Sequence, residues 1–236
     1  MLDPQGRVVM ISGANRGIGL AIAQCLYDKG YSLSLGARDT SSIGLAGAKA
    51  DDRVMTHAYD ATDAANNAAW VEATMEHFGR IDGLVNNAGT GGNANIEDPD
   101  EDVFDTMWAI NTKAPMRMIR LALPHLRACG SGRVINVVSL SGKRVANDGT
   151  GYAMSKFGLM AVGHAARRAA WKDGVRVTAL CPGYVATDMT AGRTDPSPEE
   201  MIQPEDLAEL AAVALALPNT AAMAEMLVSC QYDVMI

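Results

Sequence analysis

The chain has 236 residues, 48% of them hydrophobic and 20% charged, which excludes a disordered chain and suits one doubly wound α/β unit. Its net charge of −7 argues against a nucleic-acid partner, which calls for a basic face, and no apolar run approaches the roughly eighteen residues that cross a bilayer. Met1–Arg7 has no apolar core and does not read as a signal peptide, and the scattered Cys25, Cys129, Cys181 and Cys230, with no CxxC pair, read as reduced thiols of a cytoplasmic protein.

Taken in order, Arg7–Ile11 is a short β-branched run that ends in a glycine-rich turn, and Gly17–Lys29 is patterned as an amphipathic helix ended by Gly30. Tyr31–Ala37, Arg53–Ala58, Ile81–Asn86, Arg133–Ser139 and Val175–Cys181 are further strand-like runs. Helical patterns lie between them at Asp63–Phe78, Glu101–Cys129 and Tyr152–Asp173. Strands alternating with helices imply parallel strands joined by right-handed crossovers, so the expected fold is a doubly wound parallel sheet flanked by helices, as one domain over residues 1–236. The acidic stretch Glu97–Asp102 reads as a solvated loop and helix start. Ligands in such sheets bind beyond the carboxyl ends of the strands, where Ser12–Gly19, Asn86–Gly89, Ser139–Gly142 and Pro182–Thr187 all fall.

Gly13, Gly17 and Gly19 form GxxxGxG between a strand and a helix start, a setting in which backbone can approach a pyrophosphate and the helix N-terminus offers free N–H groups. An NAD site places an acid at the end of the second strand to hold the ribose 2′-hydroxyl. Here that place reads Gly36-Ala37-Arg38, and Arg38 and Arg16 are candidates for a 2′-phosphate, since a guanidinium fork matches phosphate oxygens. The alternative is two solvated arginines, and the adjacent Asp39 leaves room for NAD(H) beside NADP(H).

Tyr152 and Lys156 stand four apart on a helical pattern, hence on one face, and an ammonium there should draw the phenol down from its ordinary pKa of about 10 towards neutrality. Ser139, thirteen residues before Tyr152 at a strand end, is placed to donate to a substrate oxygen as charge develops there. Pro115, four residues after Asn111, cannot donate to the Asn111 carbonyl and should displace it, leaving a water site or simply a kink between two helices.

The chain resembles the short-chain dehydrogenase/reductase family from Arg7 to about Thr187, including its single-domain 3-oxoacyl-carrier-protein reductase-like members. Asn86-Asn87-Ala88-Gly89 is similar to the NNAG motif, Asn136 to Gly142 to the serine segment, Tyr152 and Lys156 to YxxxK, and Pro182-Gly183 through Thr187 to the PG segment. The resemblance implies a Rossmann fold and reversible hydride transfer between NADP(H) and a carbonyl or secondary alcohol. Ser139, Tyr152, Lys156 and Asn111 would be catalytic, with Asn111 holding a relay water. It places Gly13, Asn15, Arg16, Gly17, Ile18, Gly19, Arg38, Asp60, Asn87, Ala88, Gly89, Tyr152, Lys156, Pro182, Gly183 and Thr187 at the cofactor. It also implies a homodimer or homotetramer formed through Thr112–Cys129 and Tyr152–Asp173, whose Ala153, Gly158, Ala161 and Ala165 allow close packing. The rival reading is an NADP(H)-binding sensor without turnover. No metal site is expected, as HExxH, CxxC and EF-hand patterns are absent.

Substrate should lie between Thr90–Ile96, Leu140–Thr150 and a mobile loop at about 188–204, with Tyr184, Met189 and Met201 as apolar contacts or lid packing and Arg193 as an anchor for an acidic group. Three features depart from the family: Ser12 where Thr is usual, a short small-residue stretch Thr40–Asp52 with a stunted helix, and a C-terminal Glu225–Ile236 without Gly-Gly, which puts the final strand in question.

Overall fold

The computed structural model describes residues 1–48, 52–92 and 94–232. Its strands are β1 Val8–Ser12, β2 Ser32–Ala37, β3 Val54–Ala58, β4 Gly83–Asn86, β5 Arg133–Val137, β6 Arg176–Pro182 and β7 Glu225–Val228. They form one sheet in the order β3-β2-β1-β4-β5-β6-β7, and every pairing is parallel. The central strands are buried on both faces, which is why they read as apolar runs and not as alternating patterns. Strand order reverses between β1 and β4, so the loops that leave these two strands part in opposite directions and open a crevice.

Helices cover both faces. α1 (Gly17–Asp28) and α6 (Pro204–Ala216) pack Ile22, Leu26, Leu207 and Leu215 on Val9, Ile11, Leu33 and Leu35. On the opposite face α2 (Ala64–Phe78), α4 (Ala114–Ala128) and α5 (Thr150–Ala170) bury Trp70, Met118, Leu126 and Ala166 against Met10, Leu84 and Val134. Among the described residues no helix is long and apolar enough to cross a membrane.

The expected single helix Glu101–Cys129 is interrupted. α3 (Glu101–Trp108) passes through a π-turn at Ala109–Lys113 into α4, and the Ala114 N–H reaches back five residues to the Ala109 carbonyl. Pro115 explains the widening: it has no N–H to give, and its ring crowds the carbonyl four residues earlier. The acidic stretch does begin a helix, with Asp100 accepting from the Asp102 N–H and Glu101 and Asp102 in the first turn.

Two further differences concern the chain's second half. α6 is absent from the patterning above, although Pro204 at its first turn, Glu205, Asp206 and a Gln203–Asp206 capping box are ordinary start signals. The C-terminal stretch does form its final strand, β7, paired with β6 from Ala179↔Glu225 to Pro182↔Val228. Among the described residues of Thr40–Asp52 the one helical element is a 3₁₀ turn at Thr40–Ser42. Residues 49–51 of that stretch, residue 93 of Thr90–Ile96 and residues 233–236 of the C-terminal segment lie outside the described residues.

The amino ends of the central strands are tied by a buried carboxylate. Asp82 is fully buried, and its Oδ2 accepts from the Val8 N–H at 2.9 Å and from Arg80 Nε at 2.8 Å. Its Oδ1 accepts from a second Arg80 nitrogen at 2.7 Å, and Arg7 lies 3.8 Å away. Removing Asp82 leaves the buried Val8 N–H without its acceptor and deprives the nearly buried Arg7 of its neighbouring carboxylate, while half-exposed Arg80 can turn to water. Asp82→Ala should therefore lower stability by about 3 kcal/mol, read as a fall in the urea midpoint at unchanged slope.

Candidate active site

The crevice at the carboxyl ends is a cleft of about 830 Å³ whose walls come from all four segments named from the sequence. Gly13, Asn15, Arg16, Gly17, Ile18, Arg38, Asp60, Asn87, Ala88, Gly89, Ser139, Tyr152, Lys156, Pro182, Gly183 and Thr187 line it. Gly19 and Asn111 stand behind its walls.

At the switch point the β4 loop is bonded to the β1 loop. Ser12 Oγ accepts from the backbone N–H groups of Asn87 and Ala88, each at 3.0 Å, so serine supplies the hydroxyl that threonine would. Asn87 Nδ2 donates to the Ser12 and Gly13 carbonyls, each at 3.0 Å. These bonds explain the glycines. A Cβ on Gly19 would lie 2.2 Å from the Gly13 carbonyl oxygen and 2.4 Å from Asn87 Nδ2. Gly17 has φ +51°, and a Cβ there would meet the Thr187 side chain at 3.2 Å. The turn thus presents bare backbone and the N-terminus of α1 to the cleft, an arrangement that takes a pyrophosphate.

Arg38 lines the cleft at the end of β2. Asp39 is not among the lining residues, and its carboxylate accepts from Ser41 N at 2.9 Å and Ser41 Oγ at 2.6 Å as the cap of the Thr40–Ser42 turn. Asp60 accepts from Thr62 N and Oγ1 at 2.8 and 2.7 Å, bonds that hold its carboxyl below the usual range, with Arg38 adding to the effect. Asn15 donates to Ser42 Oγ at 3.1 Å. Arg16 meets Asp188 across the cleft mouth at 2.8 Å, a pair with both side chains largely exposed.

Ser139 follows the end of β5, with Tyr152 and Lys156 opposite it on α5. Burial pushes the Tyr152 phenol above its ordinary pKa, while the Ser139 hydroxyl pulls the other way. The expected drop towards neutrality is therefore not what this setting gives: Lys156 Nζ stands 5.6 Å from the Tyr152 ring centroid, and its own ammonium is the group brought down, by burial, to about 8. Lys156 Nζ donates to the Val137 carbonyl at 3.0 Å. Asn111, 1% exposed in the π-turn, reaches Thr90 with both ends of its amide: Oδ1 accepts from the Thr90 N–H and Nδ2 donates to the Thr90 carbonyl, each at 2.9 Å.

At the substrate end Thr90, Gly91, Gly92, Ile110 and Met189 line the cleft. Met201 is buried, and Arg193 stacks 3.8 Å from the Tyr184 ring, so these three residues pack the 188–204 segment instead of facing the cleft. The segment itself has a 3₁₀ turn at Asp188–Thr190 and a bridge between Val185 and Ile202. The reading from sequence missed Tyr59, Ala61 and Thr62 on the cleft wall, Asp188 opposite Arg16, and the Thr90 and Ser155 partners of Asn111. Ala61 and Thr62 lie within the segment that holds Asp60, whereas Asp188, Thr90 and Ser155 act through partners distant in sequence, which no local motif marks.

A family model described as short chain dehydrogenase matches residues 7–197. The chain belongs to the short chain dehydrogenase family. Agropine synthesis reductase of Rhizobium rhizogenes is 44% identical to it over 230 residues, which are 97% of this chain and 54% of that protein. The chain thus spans about half the length of that curated relative. The structure of a metagenomic short-chain oxidoreductase in complex with NADP matches at 30% identity with a TM-score of 0.82, covering 98% of this chain and 100% of that one. That of 3-ketoacyl-(acyl-carrier-protein) reductase from Brucella melitensis, complexed with NADH, matches at 26% identity with a TM-score of 0.86, covering 96% and 98%. Its seven-stranded parallel sheet flanked by helices is the Rossmann-type fold of these structures.

The Lys156 value sets a pH dependence of stability. Its folded pKa of about 8 lies below the ordinary 10.5, so folding disfavours the charged amine, fully so below pH 8 and not at all above 10.5. Between those limits the native protein should gain about 3 kcal/mol relative to Lys156→Met, which urea melts of both proteins at pH 7 and 10.5 would measure.

Proposed function

We propose that this protein is an NADP(H)-dependent reductase of a small-molecule carbonyl, acting reversibly on the corresponding secondary alcohol. The observation that carries the reading is the convergence of Ser139, Tyr152 and Lys156 on one end of a cleft whose other end is a glycine turn flanked by Arg38. The cradle fits a dinucleotide, since the faces of Gly13 and Gly19 leave no space for a Cβ and offer backbone instead. NADPH, when bound, supplies the hydride for the carbonyl carbon.

Tyr152 gives its proton to the carbonyl oxygen. A phenol whose pKa is raised by burial stays loaded with that proton at neutral pH, which suits an acid in the reducing direction. Ser139 donates a hydrogen bond to the same oxygen as negative charge develops on it. Lys156 would hold the ribose hydroxyls and, with Asn111 and a water at its main-chain carbonyl, would return a proton to Tyr152. Gly13 to Gly19 and Asn87 to Gly89 would hold the pyrophosphate, Asp60 the adenine, and Pro182, Gly183 and Thr187 the nicotinamide.

NADP(H) is favoured over NAD(H) because Arg38 lines the cleft while Asp39 does not and has its carboxylate engaged by Ser41. The NADP complex of the metagenomic relative agrees with this, and the NADH complex of the Brucella enzyme shows that the fold takes either. We also propose self-association through α4 and α5, where Met116, Met154 and Phe157 are exposed with Ala161 and Ala165, beside the exposed Trp108 at the end of α3. The four free thiols suit a reducing cytoplasm.

Tyr152→Phe should cut turnover by about a thousandfold while NADPH affinity stays within about threefold, measured by cofactor oxidation and fluorescence titration. NADPH should bind at least about tenfold tighter than NADH, and Arg38→Ala should remove most of that preference. Equal binding of the two cofactors would overturn the assignment of Arg38.

A further inference from the structure

Ser155 lies on α5 between Tyr152 and Lys156 and is 1% exposed. A helical serine commonly returns its hydroxyl to the carbonyl of the preceding turn, and Ser155 Oγ does donate to the Tyr152 carbonyl at 2.8 Å. It also accepts a hydrogen bond from Asn111 Nδ2 at 3.0 Å, and the Ser155 carbonyl accepts one from Thr112 Oγ1 at 2.7 Å. One residue of the Tyr152–Lys156 helix thus holds two successive residues of the π-turn.

The chemistry of the partners fixes every proton in this set. The Thr90 N–H can only donate, so Asn111 Oδ1 must face it; Nδ2 then spends its two hydrogens on the Thr90 carbonyl and on Ser155 Oγ. The Ser155 proton is left for the Tyr152 carbonyl. No amide hydrogen of Asn111 remains for water or substrate. Its main-chain carbonyl is the group it can offer, in a turn where Pro115 has no N–H to give.

From this geometry, and resting on the hydride-transfer reading above, we infer that Ser155 is a positioning residue for proton return to Tyr152, acting through Asn111. Its hydroxyl fixes the Asn111 amide and so sets the π-turn against Tyr152 and Lys156. Ser155→Ala leaves a buried amide hydrogen facing a methyl group, and the amide turns to find another acceptor. Most of the proposed dinucleotide contacts, at the glycine turn, Arg38 and Asp60, lie apart from this bond, so affinity for the cofactor should change little.

The test compares wild type, Ser155→Ala, Ser155→Thr, Asn111→Ala, the Ser155→Ala/Asn111→Ala pair and Tyr152→Phe. Turnover is followed as NADPH oxidation with 2,3-butanedione and ethyl acetoacetate as probes, from pH 5.5 to 10, in H2O and D2O, and NADPH binding by fluorescence titration. Ser155→Ala should lower kcat by about tenfold, shift the pH profile and raise the solvent isotope effect, with NADPH affinity within about twofold. Ser155→Thr, which keeps the hydroxyl, should recover most of the rate. In the Asn111→Ala background Ser155→Ala should cost nothing more.

An unchanged kcat and pH profile in Ser155→Ala would overturn the inference, as would losses that multiply in the double variant or an equal loss of NADPH affinity. The Ser155→Ala and Ser155→Thr comparison stands by itself should Asn111→Ala not fold. Failure of the underlying reading is separately visible: Tyr152→Phe would keep the wild-type rate, or wild type would bind NADPH and reduce neither probe.

Discussion

The cleft depends on the hydrogen bonds that join the ends of β1 and β4. These strands are neighbours in the sheet, yet the chain leaves them towards opposite edges, and without a tie the two loops would have no fixed spacing. Ser12 and Asn87 provide it with four contacts of 3.0 Å, two to backbone N–H groups and two to backbone carbonyls. The glycines are required by this closeness, since Gly13 and Gly19 are spaces in which another residue's polar atoms already stand. The arrangement suits a phosphate because backbone, helix N-terminus and empty volume are left on the side facing the cleft.

The acid–base end is governed by burial more than by charge proximity. Tyr152 and Lys156 share a helix face, as their spacing requires, but the amine bonds to the Val137 carbonyl and not to the phenol. Desolvation therefore pushes both groups towards their neutral forms, the phenol up and the amine down. The π-turn adds a second constraint. Its extra residue brings Asn111 and Thr112 to the same α5 residue, which a regular helix, with its fixed 100° advance, would not do with both side chains at once.

The features legible in the sequence were those with a local physical signature. Apolar runs marked the strands because a doubly covered sheet buries both faces, and GxxxGxG marked the turn because bulk is excluded there. Pro115 marked the break in Glu101–Cys129, though not its form, since nothing in a proline says whether the chain bends or takes up a residue in a wider turn. α6 went unmarked because its alanine-rich run has little amphipathic contrast. Asp188 opposite Arg16, and Ser155 beneath Asn111, depend on segments 172 and 44 residues apart that only the folded sheet brings together. The phenol's pKa was misjudged for a related reason: spacing shows which groups are close, while desolvation depends on everything around them.

The Asp82 tie and the cleft lie at opposite ends of the same strands. A five-residue strand such as β1 spans roughly 16 Å, beyond the distance at which the effects of two substitutions normally interfere. Changes in the loops that meet substrate can therefore accumulate without drawing on the bonds that hold the sheet in register. Such a chain can acquire a new specificity by altering the loops at its carboxyl ends while its folding free energy is guarded at the other pole.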